Sequence, residues 1–149
     1  MPSLELDPES GLPASAPAYL KHFTGAVFDE NTEGESDEFA PFEADEGSDA
    51  VFEAIEAWSE ADEPLTYRDL VAAALELERE TVFDDLDADE EYVDPILIAL
   101  GFLVLRITGA IDAEAREQLR AALSRQERQH GEVTPTFRVM LERLDSFPA

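Results

Sequence analysis

The chain contains no cysteine, which excludes disulfides, thiolate metal sites and cysteine nucleophiles. It has no G-x-S-x-G elbow and no glycine-rich loop to cradle a phosphate, so the usual signatures of nucleophilic and phosphoryl chemistry are missing. Long hydrophobic runs are missing too. The longest, residues 95–105, is interrupted only by Gly101 and suits a buried core element better than a bilayer span. The first 17 residues carry neither a basic start nor an apolar stretch, so they do not read as a secretory signal. A cytoplasmic location is the default expectation.

Basic residues are the next scarcity. The 149 residues hold 36 acids against 10 bases, a formal net charge of −26. The imbalance lies entirely in one part of the chain. Residues 1–94 carry 29 acids and three bases, Lys21, Arg68 and Arg79, whereas residues 95–149 carry seven of each. Such a surface repels nucleic acid and anionic membranes, which argues against direct contact with either. Lys21 is the one lysine; the other bases are arginines. Together with the acidity, that skew also fits adaptation to a saline cytoplasm, the main alternative explanation of the charge.

Residues 1–17 include Pro2, Pro8, Pro13 and Pro17 and read as a flexible leader, with residues 18–149 forming a single helical domain. Tyr19, Leu20, Phe23, Val27 and Phe28 give residues 18–28 enough apolar surface to dock on the body. Residues 29–47 are acidic and turn-rich, and Phe39 and Phe42 suggest an ordered loop. Ser48 reads as the cap of a first helix whose inward positions are Val51, Ile55 and Trp58, with Phe52 alongside. Pro64 breaks that pattern. Thr66 starts a second helix, with Asp69 three residues on as in a capping box, and its apolar face of Leu70, Val71, Ala74 and Leu75, with Leu77 or Glu78 at the margin, fades near Thr81. An acidic linker follows over residues 84–91.

Asp94-Pro95 then reads as an N-cap followed by proline at the first helical position. Residues 96–107 are apolar nearly all round, which marks a buried helix; the β-branched Ile98, Val104 and Ile107 keep a strand as the alternative. Gly109 reads as its stop. Asp112 opens a helix with Ala115, Leu119, Ala122 and Leu123 facing in, ending near His130-Gly131. Thr134-Pro135 opens the last one, where Phe137, Met140, Leu141 and Leu144 share a face. The expected fold is therefore mostly α: a compact bundle of about five helices with an acidic, irregular N-terminal region.

Calcium is the obvious test for so many carboxylates. Asp85, Asp87 and Asp89 open a loop of the right spacing, but Glu90 stands where a glycine is wanted and Ile96 where a bidentate glutamate is needed. Asp29, Asn31, Glu33 and Gly34 fit better, with Asp37 at position nine, yet position twelve is Ala40. Solvated acidic loops are the better reading, and no metal or other cofactor is assigned; a carboxylate-based calcium- or magnesium-binding protein stands as a further alternative. His22 and His130 stand far apart, without ligand spacing. Glu53, Glu56 and Glu60 lie on one helix face without a partner histidine, which reads as a wet face and not as acid–base machinery. Catalytic residues are therefore assigned to none of these groups, and a non-enzymatic protein is expected.

Residues 37–58 include Ala40, Pro41 and Phe42, then Asp45, Glu46, Gly47, Ser48 and Asp49, with Trp58 closing the helix. This stretch resembles a segment of YfeS-like bacterial proteins, in which Pro-Phe is followed by a small turn and a Gly-Ser/Ala-Asp step into a helix. Glu43 stands where that pattern has glycine. The resemblance implies that residues 45–49 form a turn and cap holding the first helix against Phe39 and Phe42. It brings no catalytic residues. Small acidic helical proteins of this general look also occur as immunity partners of bacterial toxins.

The function expected from these features is docking on, and inhibition of, a basic protein through an acidic face. The residues assigned to that face are Glu33, Glu35, Asp37, Asp84, Asp85, Asp87, Asp89 and Glu90. Arg116, Arg120, Arg125, Arg128, Arg138 and Arg143 are expected to pair with the acidic part of the chain or with a second copy, through which the C-terminal helices would form a homo-oligomer.

Overall fold

A helix with no polar side needs cover in every direction, and residues 93–108 are built that way. In a computed structural model of the chain, which describes Phe23 and residues 45–60, 65–86, 92–132 and 136–147, this segment is helical and is wrapped by the others. The helices in chain order are α1 (Asp45–Glu60), α2 (Tyr67–Leu75), α3 (Val93–Thr108), α4 (Ala113–His130) and α5 (Thr136–Ser146). There is no strand among the described residues, so the helical reading of the apolar segment holds over the strand alternative.

Helix α3 buries every residue from Ile96 to Leu105. Helices α1, α2 and α4 pack on it, and α5 packs on α4. The inward set of α1 is Val51, Ala54, Ile55 and Trp58, and that of α4 is Ala115, Leu119, Ala122 and Leu123. Each fully buried leucine, isoleucine or phenylalanine contributes about 1.5–3 kcal/mol. Gly101 lets α3 and α4 approach closely, since a Cβ there would lie 2.9 Å from both methyl carbons of the fully buried Leu119. Phe23 docks on the body as the apolar content of its segment suggests. It is buried, with its ring edge-on to Phe102 at 5.4 Å and beside Phe147 at 5.3 Å.

Local signals account for several helix ends. The Thr66–Asp69 capping box is complete: Thr66 Oγ1 accepts from the Asp69 N–H at 3.1 Å, and Asp69 Oδ2 accepts from the Thr66 N–H at 3.0 Å. Asp112 caps α4 by accepting from the Ala115 N–H at 2.8 Å. Gly109 ends α3 in the left-handed region with φ 70°, its N–H donating to the Leu105 carbonyl at 2.8 Å.

Four boundaries depart from expectation. Helix α1 begins at Asp45, so Ser48 lies in its first turn instead of capping it, and residues 45–49 are helix and not a preceding turn. Phe39 and Phe42 fall outside the described residues, as do residues 1–17, the calcium-like loop from Asp29, His22 and Thr134-Pro135. Helix α2 stops at Leu75, six residues short of Thr81. Glu76 takes φ 55°, its N–H meets the Ala73 carbonyl at 3.4 Å, and the Leu77 N–H meets Ala72 at 3.0 Å. This is a Schellman stop built without glycine. The linker expected from Asp84 starts late, because residues 81–86 form a turn whose Val82 is fully buried and whose Phe83 and Leu86 are half-buried.

The fourth departure is Asp94. Helix α3 starts at Val93, two residues before Pro95, with Tyr92 at the cap position making no side-chain cap bond. Asp94 thus turns inward and is buried. Arg125 of α4 grips it with Nη2 at 2.8 Å and Nε at 3.0 Å from Oδ1, and Gln126 Nε2 donates to Oδ2 at 3.2 Å. Pro95 costs no helical bond there, because first-turn N–H groups have no partner within the helix. Tyr67 of α2 completes the polar cluster. Its hydroxyl donates to the Leu97 carbonyl at 2.8 Å. Burial pushes the phenol pKa far up, with Arg125 opposing and Asp94 adding to the effect, so the hydroxyl stays a neutral donor.

Two stability tests follow from these ends and this cluster. Glu76→Gly removes the left-handed strain on a side-chain-bearing residue and is expected to stabilise the fold by about 1 kcal/mol in urea denaturation; an unchanged or lowered midpoint contradicts the strain. Asp94→Ala leaves the Arg125 guanidinium without its carboxylate. Because Arg125 keeps a quarter of its side chain exposed, the expected loss is at the lower end for a broken buried pair, about 3 kcal/mol. The double variant Asp94→Leu/Arg125→Met is expected to recover most of it, and equal losses in both contradict the account.

Candidate protein-binding surface

At 100° per residue, Asp49, Glu53, Glu56 and Glu60 fall within an arc of about 60° on α1. All four are exposed, on the side opposite the buried Ala54 and Trp58. No basic residue occurs on α1. Phe52 lies at the edge of this stripe and is 52% exposed, although its spacing placed it beside the core residues. A second acidic group follows α2. Once the chain leaves the helix at Glu76, the residues Glu76, Glu78, Glu80, Asp84 and Asp85 are all exposed.

Of the residues assigned to the acidic face, Asp84 and Asp85 are on this surface, with Asp85 Oδ2 accepting from Thr81 Oγ1 at 2.7 Å. Glu33, Glu35, Asp37, Asp87, Asp89 and Glu90 lie outside the described residues. Glu76, Glu78 and Glu80 were missed as members of this surface because the helical pattern was carried on to Thr81. The signal that α2 stops lay in no residue type, since a glutamate takes the place usually given to glycine.

The bases are spent locally. Arg79 pairs with Asp69, and Arg68 with Glu114 of α4. Among the C-terminal arginines, Arg125 reaches the acidic part through Asp94. Arg120 instead pairs with Asp145 at 2.9 Å, and Arg138 with Glu127 at 3.7 Å. Arg116 donates to the Phe147 carbonyl at 2.6 Å, with its guanidinium over that ring and its buried Nε without a hydrogen bond. His130 lies beside the Phe137 ring at the end of α4. Among the described residues, these arginines bridge neighbouring elements, and none of the pairs named here reaches the stripe on α1.

Two clefts border this surface. One, of about 260 Å³, lies between α1 and α2 and is lined largely by Ala50, Ala54, Ala57, Ala73 and Ala74. The other, of about 430 Å³, lies between the start of α2, the turn carrying Phe83 and the start of α4. Its charged groups are already engaged: Arg68 with Glu114, Arg79 with Asp69, and Asp112 with the α4 cap. Among the described residues, no group of three or more His, Asp or Glu is placed to hold a metal, and no helix is long and apolar enough to cross a membrane. Ile96, at the twelfth position of the loop opened by Asp85, is buried in α3.

Comparison with protein-family models, with curated proteins and with solved structures gives no match.

Asp69 has a pH signature. Partial burial raises its pKa, but the Thr66 N–H, the Arg79 guanidinium and the Thr66 hydroxyl outweigh that and hold it below the ordinary 3.8. A carboxylate with a depressed folded pKa adds stability above its unfolded value and loses it as pH falls through the folded one. Asp69→Asn is thus expected to be less stable than the parent at about pH 7, with the gap closing below about pH 3. A gap independent of pH in thermal melts assigns the effect to cap geometry alone.

Proposed function

We propose that the protein is a non-enzymatic acidic binding protein that docks on a basic protein and blocks it. The observation that carries this reading is the exposed, unneutralised carboxylate set on α1 and on the turn after α2, beside arginines engaged in pairs elsewhere. Carboxylates fixed on a packed scaffold can imitate the spacing of a phosphate backbone, and they steer a positively charged partner into contact. A nucleic-acid-binding protein or a nuclease toxin has the complementary chemistry. The YfeS-like stretch is compatible with this role, and the immunity protein of a toxin is its most concrete form. The half-exposed Phe52 ring supplies an apolar contact at the edge of the stripe, of the kind that anchors interfaces otherwise made of rim charges.

Affinity capture with the full chain in low salt is expected to recover a basic protein. Raising salt from about 50 mM to about 500 mM is expected to weaken that complex by at least about tenfold. A variant with Glu53, Glu56, Glu78 and Glu80 changed to Gln and Asp84 to Asn is expected to lose it. Retention by this variant, or capture of neutral and acidic proteins alone, ends the reading. The same chain is expected to be folded in dilute buffer. A chain that folds only in molar salt assigns the acids to solvation in a saline cytoplasm instead.

A further inference from the structure

The turn after α2 is electrically awkward. Between Glu76 and Asp85 it holds five exposed carboxylates and one base, Arg79, whose guanidinium is drawn back to Asp69. Mutual repulsion favours lifting this turn off the body, and only Val82 within it is fully buried. One side chain from outside the turn opposes this from beneath. Arg68 Nη1 donates to the carbonyls of Arg79 at 2.8 Å and Glu80 at 2.9 Å, and Nη2 pairs with Glu114 at the start of α4. Its guanidinium lies over the Phe83 ring, 4.8 Å from the centroid, and that ring stacks on Tyr67 at 5.9 Å. The turn, α2 and the start of α4 therefore meet at this one cation.

We infer that Arg68 is an electrostatic latch: it holds the acidic turn docked against the repulsion of its own carboxylates, and so presents them as a fixed and not a mobile array. The latch is a property of the fold; its importance for partner binding rests on the function proposed above. A planar fork is needed, because two carbonyls and a carboxylate are held at once while the face stacks on a ring. A lysine keeps the charge without that geometry. One feature sets the latch apart from ordinary packing. Its necessity depends on ionic strength, since salt screens the repulsion it opposes. Under the function proposed above, a cationic ligand on the turn also substitutes for it, because binding to the docked form stabilises that form.

Amide hydrogen exchange, read by NMR on the full chain, tests this without any partner. The reporters are the Asp84 and Asp85 amides, which donate to the Thr81 carbonyl at 2.9 Å and 3.0 Å. In Arg68→Met at about 20 mM salt, these amides are expected to exchange at least about tenfold faster than in the parent, while α3 amides keep their protection. At about 1 M salt the difference is expected to shrink to within about threefold. Arg68→Lys is expected to fall between the two. Glu114→Gln, which spares the carbonyl bonds, is expected to leave the turn protected. Parent-like exchange in Arg68→Met at low salt overturns the latch. So does acceleration undiminished in high salt, which makes Arg68 a packing residue, or acceleration that spreads equally through α3. Adding oligolysine to Arg68→Met at low salt separates the two readings. Protection regained with salt but not with oligolysine at matched ionic strength leaves the latch standing and removes the cation-binding role of the turn.

Discussion

Helix α3 has no side that tolerates water, and that constraint organises the rest of the molecule. Covering it takes α1, α2 and α4 together, and α5 then covers what α4 leaves exposed. A surrounding helix has to be amphipathic, with its polar residues pushed to the outside. For α4 and α5 the outside is of mixed charge, with Arg120–Asp145 and Arg138–Glu127 pairing across it. For α1 and the turn after α2 it is carboxylate. The polarised charge of the chain thus becomes a polarised surface because one buried helix fixes which way each neighbour turns.

The same packing decides where the arginines go. A guanidinium near a helix junction gains most by bridging two elements, and Arg68, Arg120, Arg125 and Arg138 all do so. Arg125 is the costliest of these to place, since it follows Asp94 into the interior next to Tyr67. A buried pair of this kind adds little to net stability compared with an apolar replacement, but it penalises any packing that separates its partners. It ties α3 to α4 in one register, beside the place where Gly101 lets them approach. With Arg79, which pairs with Asp69, these arginines are held away from the α1 stripe.

How much of this was legible in the residues depends on the range of the interaction involved. Thr66 with Asp69, Asp112 before Ala115, and Gly109 after α3 are signals within four residues of the bond they make, and they were readable as such. The inward sets of α1, α4 and α5 follow from helical period, except that Phe52 is exposed and Leu141 only half-buried. Asp94 was misread because its local context, an acid before proline, is the right one for a cap. What turned it inward is Arg125, 31 positions away, and no local pattern carries that. Glu76 was invisible for the opposite reason. Its left-handed conformation is imposed on a residue that does not favour it, by Leu77 and Val82 being drawn to the core on the far side of the stop.

That misplaced stop bears directly on the surface. Had α2 run on to Thr81, Glu76 and Glu80 would have shared one face of the helix and Glu78 would have pointed to the opposite side. Ending the helix at Leu75 instead puts all three on one short exposed segment with Asp84 and Asp85, and the backbone carbonyls of residues 79 and 80 are left to accept from Arg68. Concentrated like charge on a turn is stable only with a cation beneath it or around it. Arg68 supplies the first, and salt or a basic partner supplies the second. The strain at Glu76 and the guanidinium at Arg68 are therefore two parts of one arrangement, in which conformational cost at the helix end places the carboxylates together and a single internal cation keeps them there.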